Sequence, residues 1–119
     1  MSTFINAVFD GSAASLEWDA LPAEKLVESQ AVSTGYVKLP AQTSKLSAGV
    51  WEHAAGSSFD EEVEEVFVII SGRGKVTLLE TGEVLDLAPG VIGVLQPGTK
   101  TRWDIVENLR KAWIVPNMK

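Results

Sequence analysis

Residues 59–74, "FDEEVEEVFVIISGRG", place five carboxylates, Asp60, Glu61, Glu62, Glu64 and Glu65, directly before the apolar run Val66, Phe67, Val68, Ile69 and Ile70. Val63, Val66, Phe67 and Ile70 also fit a helical i, i+3, i+4, i+7 stripe, so spacing alone leaves helix and strand open. The run is rich in β-branched residues and is closed by Gly72 and Gly74, which decides for a strand. The acidic residues then sit in the turn that leads into it. Three readings of that turn follow: a metal site, a catalytic acid or base, or a solvated acidic loop.

The same texture extends downstream. From residue 35 onward, short apolar stretches such as "GYVKLP", "SAGVWEH", "GKVTLLE", "VIGVLQ", "TRWDIV" and "KAWIVP" alternate with Gly and Pro signals. Segments of this length and spacing indicate an antiparallel all-β sandwich or barrel. "APGV" and "QPGT" suit type II turns, with Pro fixing φ and Gly accepting a positive one. Around Thr81 and Gly82, "KVTLLE" and "EVLDL" are expected to form a hairpin. Residues 1–34 are weakly patterned and read as an N-terminal arm with one short helix starting near Pro22 and running through "AEKLVE". The expected organisation is an arm, 1–34, and a barrel, 35–119.

Composition narrows the function classes. The 119 residues suffice for one core, and 45% apolar with 22% charged residues is the balance of an ordinary folded domain. A net charge of −6 opposes binding to a phosphate backbone, so no nucleic-acid partner is expected. No apolar run approaches the roughly 20 residues of a membrane helix and no signal-peptide pattern opens the chain, so a cytoplasmic location away from membranes is expected. With no cysteine, disulfides and thiolate metal sites are excluded.

Glu65, six residues and then Gly72 resemble the second half of the first cupin motif. Gly90, followed five residues later by Gln96, Pro97 and Gly98 and then Thr101, resembles the second, Gly-x5-Pro-x-Gly-x2-His. In order, "VWEHAAG", "EEVFVIISGRGKVTL", "TGEVLDLAPG" and "QPGTKTRWDIVENLRKAWIV" resemble the small single-domain cupins related to the ureidoglycine aminohydrolase cupin domain. The resemblance spans residues 49 to 115 and implies a double-stranded β-helix of the jelly-roll type.

In metal-binding cupins, two histidines of the first motif and one of the second join the glutamate around a transition metal. Here those positions fall on Ser58 and Asp60, or on Phe59 and Glu61, and on Thr101. Hydroxyl groups stay protonated at neutral pH and replace imidazole poorly. No cofactor is therefore expected, and any metal would be a hard cation on Asp60, Glu61 and Glu65.

If the register holds, Glu65 points into the barrel with Phe67 and Ile69, and Trp103 follows Thr101 to the same side. An inward carboxylate must take up a proton or find a partner. Thr101 is expected to donate to it, and Lys100, Arg102, Arg110 or Lys111 to neutralise it. Glu65 is thus the candidate catalytic residue, with Trp51, Phe67, Thr101 and Trp103 as candidate ligand-binding residues. The competing reading of the tryptophans is plain core filling. His53, the one histidine, matches no motif position and reads as a surface or edge-strand residue.

The expected function is a metal-free cupin binding a small polar or carbonyl-bearing molecule. Its rivals are a manganese-dependent hydrolase resembling ureidoglycine aminohydrolase and an assembly domain whose arm wraps a neighbour. A homodimer is the expected state.

Overall fold

The computed structural model describes residues 6–117. Eight strands follow in order: β1 (Glu17–Ala20), β2 (Ser33–Lys38), β3 (Leu46–His53), β4 (Gly56–Glu61), β5 (Glu65–Leu78), β6 (Val84–Leu87), β7 (Ile92–Leu95) and β8 (Lys100–Pro116). Every pairing between them is antiparallel.

Two long strands, β5 and β8, turn one hydrogen-bonded network into two facing layers. In the first layer the order is β1-β2-β3, the C-terminal half of β8, the N-terminal half of β5, then β7. In the second it is β4, the N-terminal half of β8, the C-terminal half of β5, then β6. The bend between layers lies where the β5–β8 register slips, between Ile69 and Gly74. Bulges of this kind sharpen local twist and re-aim side chains. Accordingly Glu65, Phe67 and Ile69 face inward before the bend, whereas Val76 does so after it. Gly72 sits in the bend with φ +94°, and a Cβ there would lie 2.0 Å from the Asn108 carbonyl oxygen. This glycine is required by a close backbone approach.

The core between the layers comprises Phe67, Ile69, Val76, Leu87, Leu95, Trp103, Ile105 and Leu109. The expected hairpin forms between β5 and β6, with Thr77 opposite Val84. Gly90 and Gly98 take the positive φ that their Pro-Gly turns require.

Among residues 6–32, one segment joins the sheet and another forms a short turn. β1 pairs with β2, and the expected helix after Pro22 is one 3-10 turn, Ala23–Lys25. Leu26 leaves that turn in extended backbone and bridges to Ser58, which ends the helix. Residues 10–14 fold back on their own barrel. The Arg110 guanidinium donates to the carbonyls of Gly11, Ser12 and Ala14 at 2.8–3.1 Å and pairs with Glu52 at 2.8 Å. Among the described residues, no helix is long and apolar enough to cross a membrane.

Candidate functional site

A cavity of about 430 Å³ opens at one end of the barrel, lined by Lys25, Tyr36, Trp51, Asp60, Glu61, Glu62, Val63, Glu65, Trp103, Lys111, Trp113 and Val115. Three strands supply its floor. β5 begins at Glu65 and β8 places Lys111 on the same inward face, since alternate β8 residues from Thr101 to Trp113 are buried apart from a break at Glu107. β3 brings Trp51 beside them through its pairing with Lys111.

The Lys111 ammonium lies 2.7 Å from Glu65 Oε2, with both side chains buried. No other polar group bonds Oε2 among the described residues, so the ammonium is its one partner there. The same ammonium stands 4.5 Å from the Trp51 ring centre, 4.9 Å from Phe67 and 4.8 Å from Trp103. Aromatic faces attract a desolvated cation by about 2 kcal/mol or more. The site therefore holds a charge that belongs to the chain itself.

A second buried carboxylate stands beside the first. Glu62 lies between β4 and β5, and its backbone is pinned to the turn before β8: its N–H donates to the Thr99 carbonyl and its own carbonyl accepts from Gly98, both at 2.8 Å. This turns the side chain inward, where Oε2 accepts from the Thr101 hydroxyl at 2.6 Å and the Trp103 indole N–H at 3.0 Å. Burial pushes the Glu62 carboxyl above its ordinary pKa, an effect partly offset by the Thr101 hydrogen bond and the Lys111 charge. A carboxyl so placed is suited to hold or move a proton, or to neutralise a bound cation.

His53 is fully buried, not at the surface, which corrects the sequence-based expectation. It ends β3 on the inward face, edge-on to Trp51. Its Nδ1 lies 2.6 Å from the Ala54 carbonyl, an acceptor only, so Nδ1 carries the proton and Nε2 accepts from the Ser58 hydroxyl at 2.8 Å. Burial lowers its pKa, keeping the ring neutral. It is a structural histidine that does not line the cavity.

Of the sequence-predicted residues, Glu65, Trp51 and Trp103 line the cavity, whereas Phe67 and Thr101 lie beneath it. Thr101 donates to Glu62 and not to Glu65, because the inward Glu62 side chain reaches it first. Lys111, one of four cations considered, is the one that meets Glu65. Sequence reasoning did not single out Glu62, Tyr36 or Trp113. Tyr36 stacks on Trp113 at 5.7 Å, a contact that depends on β2 pairing with β3.

The residues at the metal-ligand positions do not fit a metal. Inward burial of Ser58 selects the Ser58 and Asp60 register, and each position is already engaged. Ser58 bonds His53, Asp60 pairs with Lys25 at 3.0 Å, Thr101 bonds Glu62, and Glu65 faces Lys111. Asp60, Glu61 and Glu65 do not converge, and among the described residues no three His, Asp or Glu side chains are grouped to hold an ion. A divalent cation beside Glu65 would have to displace a buried ammonium.

A family profile described as the EutQ-like cupin domain matches residues 40–113. No curated protein sequence matches the chain. Among solved structures, the chain is similar to the polyketide cyclase RemF from Streptomyces resistomycificus, at 13% identity over 94% of this chain and 80% of that one, TM-score 0.65. It is also similar to ectoine synthase from P. lautus, at 16% identity over 81% and 67%, TM-score 0.60. The Clostridium difficile EutQ protein aligns at 15% identity over 70% of this chain, TM-score 0.59, and the match spans 61% of that protein's length. These likenesses establish the jelly-roll fold, as the motif spacing implied.

Proposed function

The chain belongs to the EutQ-like cupin domain family, and we propose that it is a metal-free member that binds a small polar or carbonyl-bearing molecule in the cavity above Lys111 and Glu65. One observation carries this reading: an open, aromatic-walled cavity of about 430 Å³ ends on two buried carboxylates and a buried ammonium. Ordinary cores do not concentrate ionisable groups in this way. Glu62 stands with Glu65 as the candidate acid or base, and Trp51, Trp103 and Trp113 as walls. Fold neighbours named for unrelated chemistries, a polyketide cyclase and an ectoine synthase, are consistent with a scaffold whose activity lies in its side chains.

A thermal-shift screen against a metabolite panel tests the proposal, with Glu62→Gln and Tyr36→Ser as controls. Tyr36 is half-exposed, so its truncation spares the fold. Hits that stabilise the wild type and weaken in both variants are expected. An empty screen, or hits indifferent to both substitutions, overturns it. The rival hydrolase resembling ureidoglycine aminohydrolase requires a bound metal. Elemental analysis finding a stoichiometric transition metal in the purified protein would restore it.

Assembly is a second reading with its own support. Ile92, Val94, Val66 and Ile114 are exposed on neighbouring strands of the outer face of the first layer. The residue 10–14 segment lies against Val50 and Ile70 nearby, while these four stay 40–69% exposed. A second copy meeting this strip would form the expected homodimer, and solution mass of the Ile92→Lys variant against wild type tests it. A net charge of −6 supports the absence of a nucleic-acid partner, and a cytoplasmic location stays a proposal from the sequence alone.

A further inference from the structure

The charges facing the cavity do not cancel. Its two cations are both matched, Lys25 by Asp60 at 3.0 Å and Lys111 by Glu65 at 2.7 Å. Glu62 has no cation within 4.0 Å among the described residues. It is only 7% exposed, and Oε2 is taken by Thr101 and Trp103. Oε1 accepts no hydrogen bond among the described residues, yet it is not sealed from solvent. Since Glu62 lines the cavity, that oxygen is the acceptor a ligand meets.

Each ligand charge class faces a different balance here. An anion would meet Glu62 and find no unmatched cation, so it would lose hydration without compensation. A neutral molecule would leave the carboxylate without a counterion. A small organic cation would supply the missing charge, and its alkyl portion would lie on aromatic walls, which favour both apolar groups and cations. We infer that the cavity selects a small alkylammonium compound, its charged nitrogen against Glu62 Oε1 and its alkyl part between Trp51 and Trp113. This inference rests on the cavity being the binding site proposed above, and it names the class of molecule bound there.

The test uses three probes of matched size, n-butylammonium, n-butyrate and n-butanamide, at pH 8 and constant ionic strength against the full chain. Binding is read from the indole N–H resonances of the four tryptophans, because the Trp103 N–H donates to Glu62. The ammonium is expected to bind at least tenfold more tightly than either partner probe. Glu62→Gln, which keeps an oxygen for Thr101 and Trp103, is expected to weaken it tenfold or more. Glu64→Gln removes a nearby exposed charge outside the cavity and is expected to change it less than threefold. Retained dispersion of the indole signals shows that each variant is folded. Butyrate or butanamide binding as tightly as the ammonium, or equal losses in the two variants, overturns the inference while leaving the binding cavity in place. Failure of all three probes to perturb any indole signal overturns the cavity reading as well.

Discussion

Lys111 and Glu65 form an ion pair 2.7 Å long at the position that the motif resemblance gives to a cupin's metal-binding glutamate, and three aromatic rings close around the lysine. Buried pairs of this kind cost desolvation, and removing one partner strands the other. Lys111→Met should therefore destabilise the protein by about 3 kcal/mol or more. The double variant Lys111→Met with Glu65→Leu should regain much of that loss, because neither charge then remains to be solvated. Urea denaturation of wild type, both single variants and the double variant gives the coupling. A Lys111→Met protein as stable as wild type would mean that Glu65 does not need its partner.

The pair was only half legible in the sequence. Strand alternation from the Glu65 motif turned Phe67 and Ile69 inward, and alternation from Thr101 did the same for Trp103, because period-two geometry depends only on local register. Lys111 was one of four candidate cations, since choosing among them requires the pairing of β5 with β8, a contact across many intervening residues. Glu62 lay unmarked among five carboxylates. Its inward turn comes from two backbone hydrogen bonds to Gly98 and Thr99, which no local pattern encodes. His53 was misplaced for a similar reason: its partner Ser58 reads as a missing metal ligand until the two are seen to bond.

Gly72 and Gly82 separate two costs that the motif spacing alone does not distinguish. Both have positive φ, +94° and +78°, but a Cβ on Gly82 meets nothing within 4 Å, whereas one on Gly72 meets the β8 backbone. Gly82→Ala should cost only the left-handed conformation, about 1–2 kcal/mol. Gly72→Ala should cost several-fold more or prevent folding, since β5 and β8 must part. Equal denaturation midpoints for the two variants would contradict the close approach at the bend.

His53 is the only histidine, so its titration is visible without ambiguity by NMR. Burial lowers its folded pKa below the ordinary 6.5. The unfolded chain then binds more protons than the native one in the window below pH 6.5, and stability contributed by the neutral ring is lost as pH falls through it. The imidazole nitrogen shifts should show the Nδ1–H tautomer persisting below pH 6.5. Ser58→Ala, which removes the donor to Nε2, should cost about 1–2 kcal/mol. A ring that protonates at or above pH 6.5 would place His53 in contact with solvent.

Glu62 gives the opposite pH dependence. Its folded pKa is raised above the ordinary 4.5, chiefly by burial, with the Asp60 charge adding to the rise. Between 4.5 and that raised value the native state holds a proton the unfolded chain has released, so this group's contribution to stability falls as pH rises. Above the raised pKa the full penalty of a buried, unpaired carboxylate is present. Glu62→Gln removes the charge and retains an oxygen acceptor for Thr101 and Trp103. The variant should accordingly be more stable than wild type at pH 8, with the advantage shrinking on acidification and vanishing below pH 4.5. Because His53 is present in both proteins, the difference between their stability curves isolates Glu62. A difference independent of pH, or a variant less stable at pH 8, would show that the Glu62 carboxylate is already neutralised within the fold, and would remove the unmatched charge on which alkylammonium selection depends.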